Sequence, residues 1–305
     1  MGLGSFISVG REIDTAIERA KLAESLGYES AYVTHIAARD PFTVLTAYAA
    51  ATDTIKLGTG VTPIYARTPV SMAQTAATLD EFSGGRMVLG LGVSHRPVVE
   101  GWYGQTIDKP VTEMREYANA VRAMFRGEDP SGGAKWPTGF HFMGYETSAD
   151  LPIYISALSP RMLQLAGEIA DGVILWLCEP NYIREVVVPE VTKGREKAGK
   201  ELAGFDIVAA VPSVVTDDPG PAVETMRKDL IPYFSLPFYR AMIERAGFEP
   251  DIEMAGGFID TLAAIGDAGQ ASATLDRYFE AGATSPCVGP IPRTDFEATL
   301  RALSR

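Results

Sequence analysis

Three histidines stand in a chain of 305 residues, and two of them close apolar, strand-like runs. His35 follows the run 30–34, and His95 follows the run 87–93 and Ser94. An imidazole titrates near neutral pH, so at such a place it can hydrogen-bond a ligand or move a proton. Either ring would also serve structurally, His35 against a backbone carbonyl and His95 stacked on Trp102. His141, between Phe140 and Phe142 in a Gly- and Pro-rich stretch, reads as a surface or lid residue. No pair of histidines has metal-ligand spacing and no carboxylate stands at such spacing from them, so no metal is expected. G-x-S-x-G is absent and neither Cys178 nor Cys287 has a convincing base beside it in sequence, so nucleophilic hydrolysis has no support. After the run 152–156, Ser159 reads as a helix N-cap and Pro160 as the first helical residue. The free N–H groups of such a start attract anions, and Arg161 adds a fixed positive charge, although an ordinary capped helix has the same pattern. Trp102 and Trp176 could line a pocket or simply pack.

The elements that must hold these groups alternate along the chain. Strand-like runs fall at 3–9, 30–34, 55–61, 87–93, 152–156, 172–177, 206–215 and 285–288. Helical patterns fill 11–27, 40–53, 69–82, 111–125, 160–169 and 182–199, with several more in 219–281 and a terminal helix after 292. Eight strands that each feed a helix predict a (β/α)8 TIM barrel. An open doubly wound sheet is the chief alternative, but no G-x-G-x-x-G follows the first strand. The stretch 127–150, GEDPSGGAKWPTGFHFMGYETSAD, breaks the alternation and reads as a loop insertion, of the kind that covers a barrel's mouth. Residues 96–110 read as a loop. The absence of a linker or repeat predicts one domain over 1–305. Barrel chemistry gathers where strands end, the place of both His35 and His95.

Composition narrows the partners. A formal net charge of −12 argues against nucleic acid and anionic membrane surfaces, leaving a small molecule as the expected partner. Two cysteines are too few for a disulfide framework, which predicts a reducing, cytoplasmic setting. The opening GLGSFISVGREID lacks the pattern of a secretory signal, and no 18-residue apolar run predicts a membrane helix.

The block at 57–95, LGTGVTPIYARTPVSMAQTAATLDEFSGGRMVLGLGVSH, resembles the bacterial luciferase-like superfamily. SLGYESAYVTH, RDPFTVLTAYAAATDTIKLG, VEGWYG and LPIYISALSPRMLQLAGEIADGVI extend the resemblance over nearly the whole chain. It is nearest to the actinobacterial branch that uses the deazaflavin coenzyme F420 rather than reduced FMN. The resemblance implies a flavin-like ring at the barrel's C-terminal mouth, backed by a bulge with a non-proline cis peptide at Gly60–Val61. It implies that Gly60, Val61, Thr62, Ser94 and Trp176 adjoin the cofactor, and that Ser156, Ala157, Leu158 and Arg161 hold its phosphate. Arg67 would hold the anionic tail, or else brace its loop against Asp80 or Glu81. In related deazaflavin sugar-phosphate dehydrogenases a proton-donating glutamate falls near position 95. His95 replaces it here, which argues against a glucose-6-phosphate-type substrate. His35 and His95 are the expected acid or base groups, and a homodimer is the expected assembly. The implied function is F420-dependent oxidoreduction, with a reduced-FMN monooxygenase as the alternative and a non-catalytic flavin-binding protein as the third reading.

Overall fold

The computed structural model describes residues 2–8, 10–253 and 255–305. Its parallel strands are β1 (Gly4–Phe6), β2 (Ser30–Val33), β3 (Lys56–Thr59), β4 (Thr62–Pro63) and β5 (Met87–Gly92). They continue as β6 (Ile153–Ser156), β7 (Gly172–Trp176), β8 (Asp206–Val215), β9 (Ala264–Gly266) and β10 (Ser285–Pro290). Because β10 pairs with both β8 and β1, the strands β1, β2, β3, β5, β6, β7, β8 and β10 close on themselves. This is the (β/α)8 barrel that the alternation predicted. Val9, at the end of the expected first strand, lies outside the described residues.

Helices α1 (Ile13–Ser25), α2 (Pro41–Ala51), α3 (Pro69–Ser83), α4 (Arg96–Tyr103), α5 (Pro110–Arg126) and α6 (Pro160–Ile169) cover the first half of the barrel. The second half carries α7 (Pro180–Tyr182), a π-turn at Ile183–Val187, α8 (Val188–Lys197), α9 (Gly220–Phe234) and α10 (Pro237–Arg245). It ends with α11 (Ala255–Leu262), α12 (Ala268–Glu280) and α13 (Phe296–Leu303). Proline starts α2, α3, α5, α6 and α10, where its missing N–H is harmless and its φ is already helical. Asp40 and Thr68 cap α2 and α3 by accepting from Thr43 N and Ser71 N.

Three departures from the expected elements stand out. Part of 96–110 is the helix α4, started by Arg96-Pro97 and ended by Gly104 at φ 62°. The region 219–281 contains β9, which extends the far end of β8 outside the closed barrel. The insertion packs along the outside of the helix layer. Lys135 N bonds Glu116 at 3.2 Å and Trp136 Nε1 donates to the Glu113 carbonyl at 3.1 Å, both early in α5. Thr147 then donates to Phe125 O at 2.6 Å near the end of α5, and Tyr145 to Ala77 O on α3 at 2.8 Å. The segment therefore runs up and back along the outer face of α5 and α3. Its aromatics have apolar helix surface to bury there, as Trp136 does against Tyr117 with centroids 5.2 Å apart.

The register between β3, β4 and β5 contains one extra residue. Leu57 pairs with Met87 and Gly58 with Val88, whereas Thr62 pairs with Leu91. Three residues, Thr59 to Val61, therefore face two, Leu89 and Gly90, which is a β-bulge. The Thr59 hydroxyl bridges the gap, donating to Gly90 O at 2.8 Å and accepting from Gly90 N at 2.9 Å. The Gly60–Val61 peptide within the bulge is cis.

Candidate active site

The bulge and the strand exits bring one group of residues to the C-terminal mouth. Gly60 N donates to Val33 O at 2.8 Å, tying the bulge to the end of β2. His35 lies two residues beyond, half-buried, with its Nδ1 2.8 Å from Thr62 Oγ1. Thr62 is fully buried, and its strand is fixed by Ile64 N donating to Gly92 O at 2.9 Å. The backbone-carbonyl role considered for His35 is therefore not its observed bond. Burial pushes its imidazole below the ordinary value of 6.5, and the Arg67 guanidinium acts the same way while the Asp40 carboxylate opposes both.

His95 occupies the N-cap position of α4 without making a side-chain cap bond. Burial lowers its imidazole as well. Its ring faces Tyr239 on α10 with centroids 5.7 Å apart. The stacking on Trp102 considered from sequence is not formed, and that indole is 55% exposed. From His95 an aromatic wall continues through Tyr239 to Tyr233 at 4.8 Å and on to Trp176 at 6.2 Å. Trp176 ends β7, and its indole N–H is buried with no protein partner among the described residues. Val61 and Trp176 both pack against the apolar cluster of Phe6, Tyr32, Val88 and Ile174. The bulge and the wall thus adjoin the same interior cluster.

Three non-glycine residues past strand ends hold left-handed backbone among the described residues, Ser94 at φ 57° after β5, Leu177 at φ 60° after β7 and Arg293 at φ 68° after β10. Such conformations are sparsely populated and gather at functional sites.

At the end of β6, Ser156 and Leu158 are half-buried and Ala157 is buried. Ser159 takes the expected N-cap position, yet its hydroxyl makes no cap bond. The first N–H groups of α6 are left free of side-chain capping, as an anion site requires. Arg161 is exposed in the first turn, with no ion pair among the described residues. Arg67 is engaged. It pairs with Asp40 and lies over Phe42, 5.1 Å from the ring centroid. Asp80 and Glu81, the partners expected from sequence, are not used, and Asp80 instead accepts from Met87 N at 3.3 Å. Arg67 therefore braces the start of α2. His141 is exposed on the insertion.

Sequence reasoning missed Tyr233, Tyr239 and Asp40. The two tyrosines stand on different helices separated by Ser235-Leu-Pro, so no single period aligns them. Asp40 did carry a signal, since Asp-Pro at a helix start marks a cap that could also meet an arginine.

Comparison with known proteins adds to this geometry. The profile of the luciferase-like monooxygenase family matches residues 1–285. A 5,10-methylenetetrahydromethanopterin reductase of Methanolobus tindarius is 37% identical over 199 residues, 62% of this chain and 58% of that protein. A Mycobacterium tuberculosis protein named as a coenzyme F420-dependent oxidoreductase is 32% identical over 257 residues, 79% of this chain and 73% of the other. Among solved structures, the F420-dependent tetrahydromethanopterin reductase of Methanopyrus kandleri superposes with a TM-score of 0.84 at 25% identity, covering 100% of this chain and 97% of that one. The FMN-bound oxygenating constituent of 3,6-diketocamphane monooxygenase from Pseudomonas putida shares the fold, with a TM-score of 0.78 at 17% identity over 100% and 97% of the two chains. The chain belongs to the luciferase-like monooxygenase family.

Proposed function

We propose that this protein binds a deazaflavin of the F420 type and exchanges a hydride between it and a small organic substrate. One observation carries the reading: His35, held by the buried Thr62 one residue past the bulge, stands at the mouth where a planar ring would lie. The residues present fit such a group. Val61 and Trp176 offer an apolar bed, the Trp176 indole N–H is an unspent donor, and the uncapped start of α6 with Arg161 suits a phosphate. When bound, the deazaflavin supplies the carbon that gives or accepts hydride. The chain supplies orientation through the bulge and the strand exits. It excludes water with the aromatic wall of Tyr239, Tyr233 and Trp176, and it acts on the substrate through His35 or His95. Relatives named for F420 or for methanopterin reduction favour the deazaflavin over FMN.

Stopped-flow absorbance tests the reading. Anaerobic mixing of the protein and oxidised F420 with a panel of small alcohols should bleach the deazaflavin band, or reduced F420 should restore it with carbonyl or imine acceptors. Oxygen-dependent product formation with reduced FMN, and no exchange with F420 for any member of the panel, would replace this reading with a monooxygenase.

A further inference from the structure

We propose that Thr62 fixes the tautomer of His35, so that the neutral imidazole meets the substrate through a protonated Nε2 and acts as a hydrogen-bond donor. The proposal rests on the reading of His35 as a reaction-centre group and names which chemistry it performs there. Thr62 is a positioning residue.

The argument is a count of hydrogens. The Thr62 side chain is fully buried, and its hydroxyl has one partner among the described residues, His35 Nδ1 at 2.8 Å. If Nδ1 carried the proton of the neutral ring, the hydroxyl would have to accept, and its own hydrogen would find no acceptor among the described residues. A buried unpaired donor is disfavoured. If Nδ1 is bare, the hydroxyl donates to it and both groups are satisfied. The remaining proton then sits on Nε2, which has no protein partner among the described residues and is not sealed from solvent. A carboxylate beside Nδ1 would select the opposite tautomer. The charged groups near this ring are Asp40 and Arg67, and they are paired with each other. Asp40 spends its other oxygen on Thr43 N at 3.0 Å and Thr43 Oγ1 at 3.1 Å. Burial favours the neutral ring, in keeping with the scheme.

A neutral imidazole that shows Nε2–H cannot take a proton at that nitrogen. It can polarise an acceptor on the substrate, a carbonyl oxygen or an imine nitrogen, without changing its own charge. The substrate class that fits His35 is therefore an acceptor such as a ketone, aldehyde or imine: its carbon would take the hydride from the reduced deazaflavin, the π electron pair would pass to the atom held by Nε2–H, and a proton from water would complete the alcohol or amine.

Nitrogen-15 correlation spectra of histidine-labelled, cofactor-free protein above pH 7 read the tautomer directly, and with three histidines the His35→Ala spectrum assigns the ring. Wild type and Thr62→Ser should show bare Nδ1 and protonated Nε2 at His35. Thr62→Val should lose that preference and lower kcat for carbonyl reduction by about tenfold or more with little change in KM, while Thr62→Ser restores it. A protonated Nδ1 in the wild type, or a Thr62→Val spectrum identical to wild type, overturns the proposal. The expected tautomers with normal turnover of His35→Ala would overturn the functional reading of His35 and leave the role of Thr62 standing.

Discussion

His35 and His95 differ in what surrounds them, and their predicted effects differ accordingly. His35 sits at the rim with a single side-chain partner, so His35→Ala leaves no large core cavity. Turnover should fall by about 10²–10³, the usual contribution of a positioned hydrogen-bond donor, with melting lowered only by the cost, about 1–3 kcal/mol or less, of leaving the Thr62 hydroxyl without its partner. A large loss of melting temperature with normal turnover per folded molecule would make the residue structural. Both imidazoles are pushed below 6.5 by burial. Between those lowered values and 6.5 the unfolded chain binds more protons than the folded one. Stability from these groups therefore rises with pH through that window and is flat above it. Melting curves taken from pH 5 to 7.5 should show this slope, and His35→Gln or His95→Gln should flatten it. An unchanged slope in both variants would contradict the burial argument. Arg161 is exposed and has no ion pair among the described residues, so Arg161→Ala should leave the fold intact. It should weaken cofactor binding by about 1–3 kcal/mol, the scale of a charge-assisted hydrogen bond. Isothermal titration measures this, and unaltered affinity would place the phosphate elsewhere.

The β3–β5 bulge is the element on which the site depends, and its residues explain why part of the design was readable. Alternating strand and helix patterns with proline at helix starts marked the barrel and placed His35 and His95 at strand exits. Local period and cap chemistry decide those features. The pairing of Arg67 with Asp40, the path of residues 127–150 along α5, and the wall of Tyr233 and Tyr239 are set by tertiary packing between segments far apart in sequence. No local signal encodes them. The stretch 96–110 reads as a loop in sequence because Gly101 and Gly104 mask the helix over Arg96–Tyr103. The bulge itself gives a sharp prediction. A Cβ on Gly90 would lie 2.0 Å from the Thr59 carbonyl oxygen, a backbone atom that cannot swing aside. Gly90→Ala should therefore destabilise the fold by about 1–3 kcal/mol or more and disturb the hydroxyl bridge from Thr59. Denaturant unfolding measures the loss, and wild-type stability would mean that the bulge relaxes without cost.

For the whole molecule, a net charge of −12 sets the terms on which an anionic cofactor binds. The general field would oppose it, so on the proposed reading affinity would come from local donors at the start of α6 and from the apolar bed at the bulge. No helix among the described residues is long and apolar enough to cross a membrane. The central claim is the choice of cofactor, and parallel equilibrium titrations of the protein with oxidised F420 and with FMN, followed by cofactor fluorescence at one ionic strength, test it most directly. Tighter binding of F420 is the predicted result, and equal affinity or a preference for FMN would contradict it.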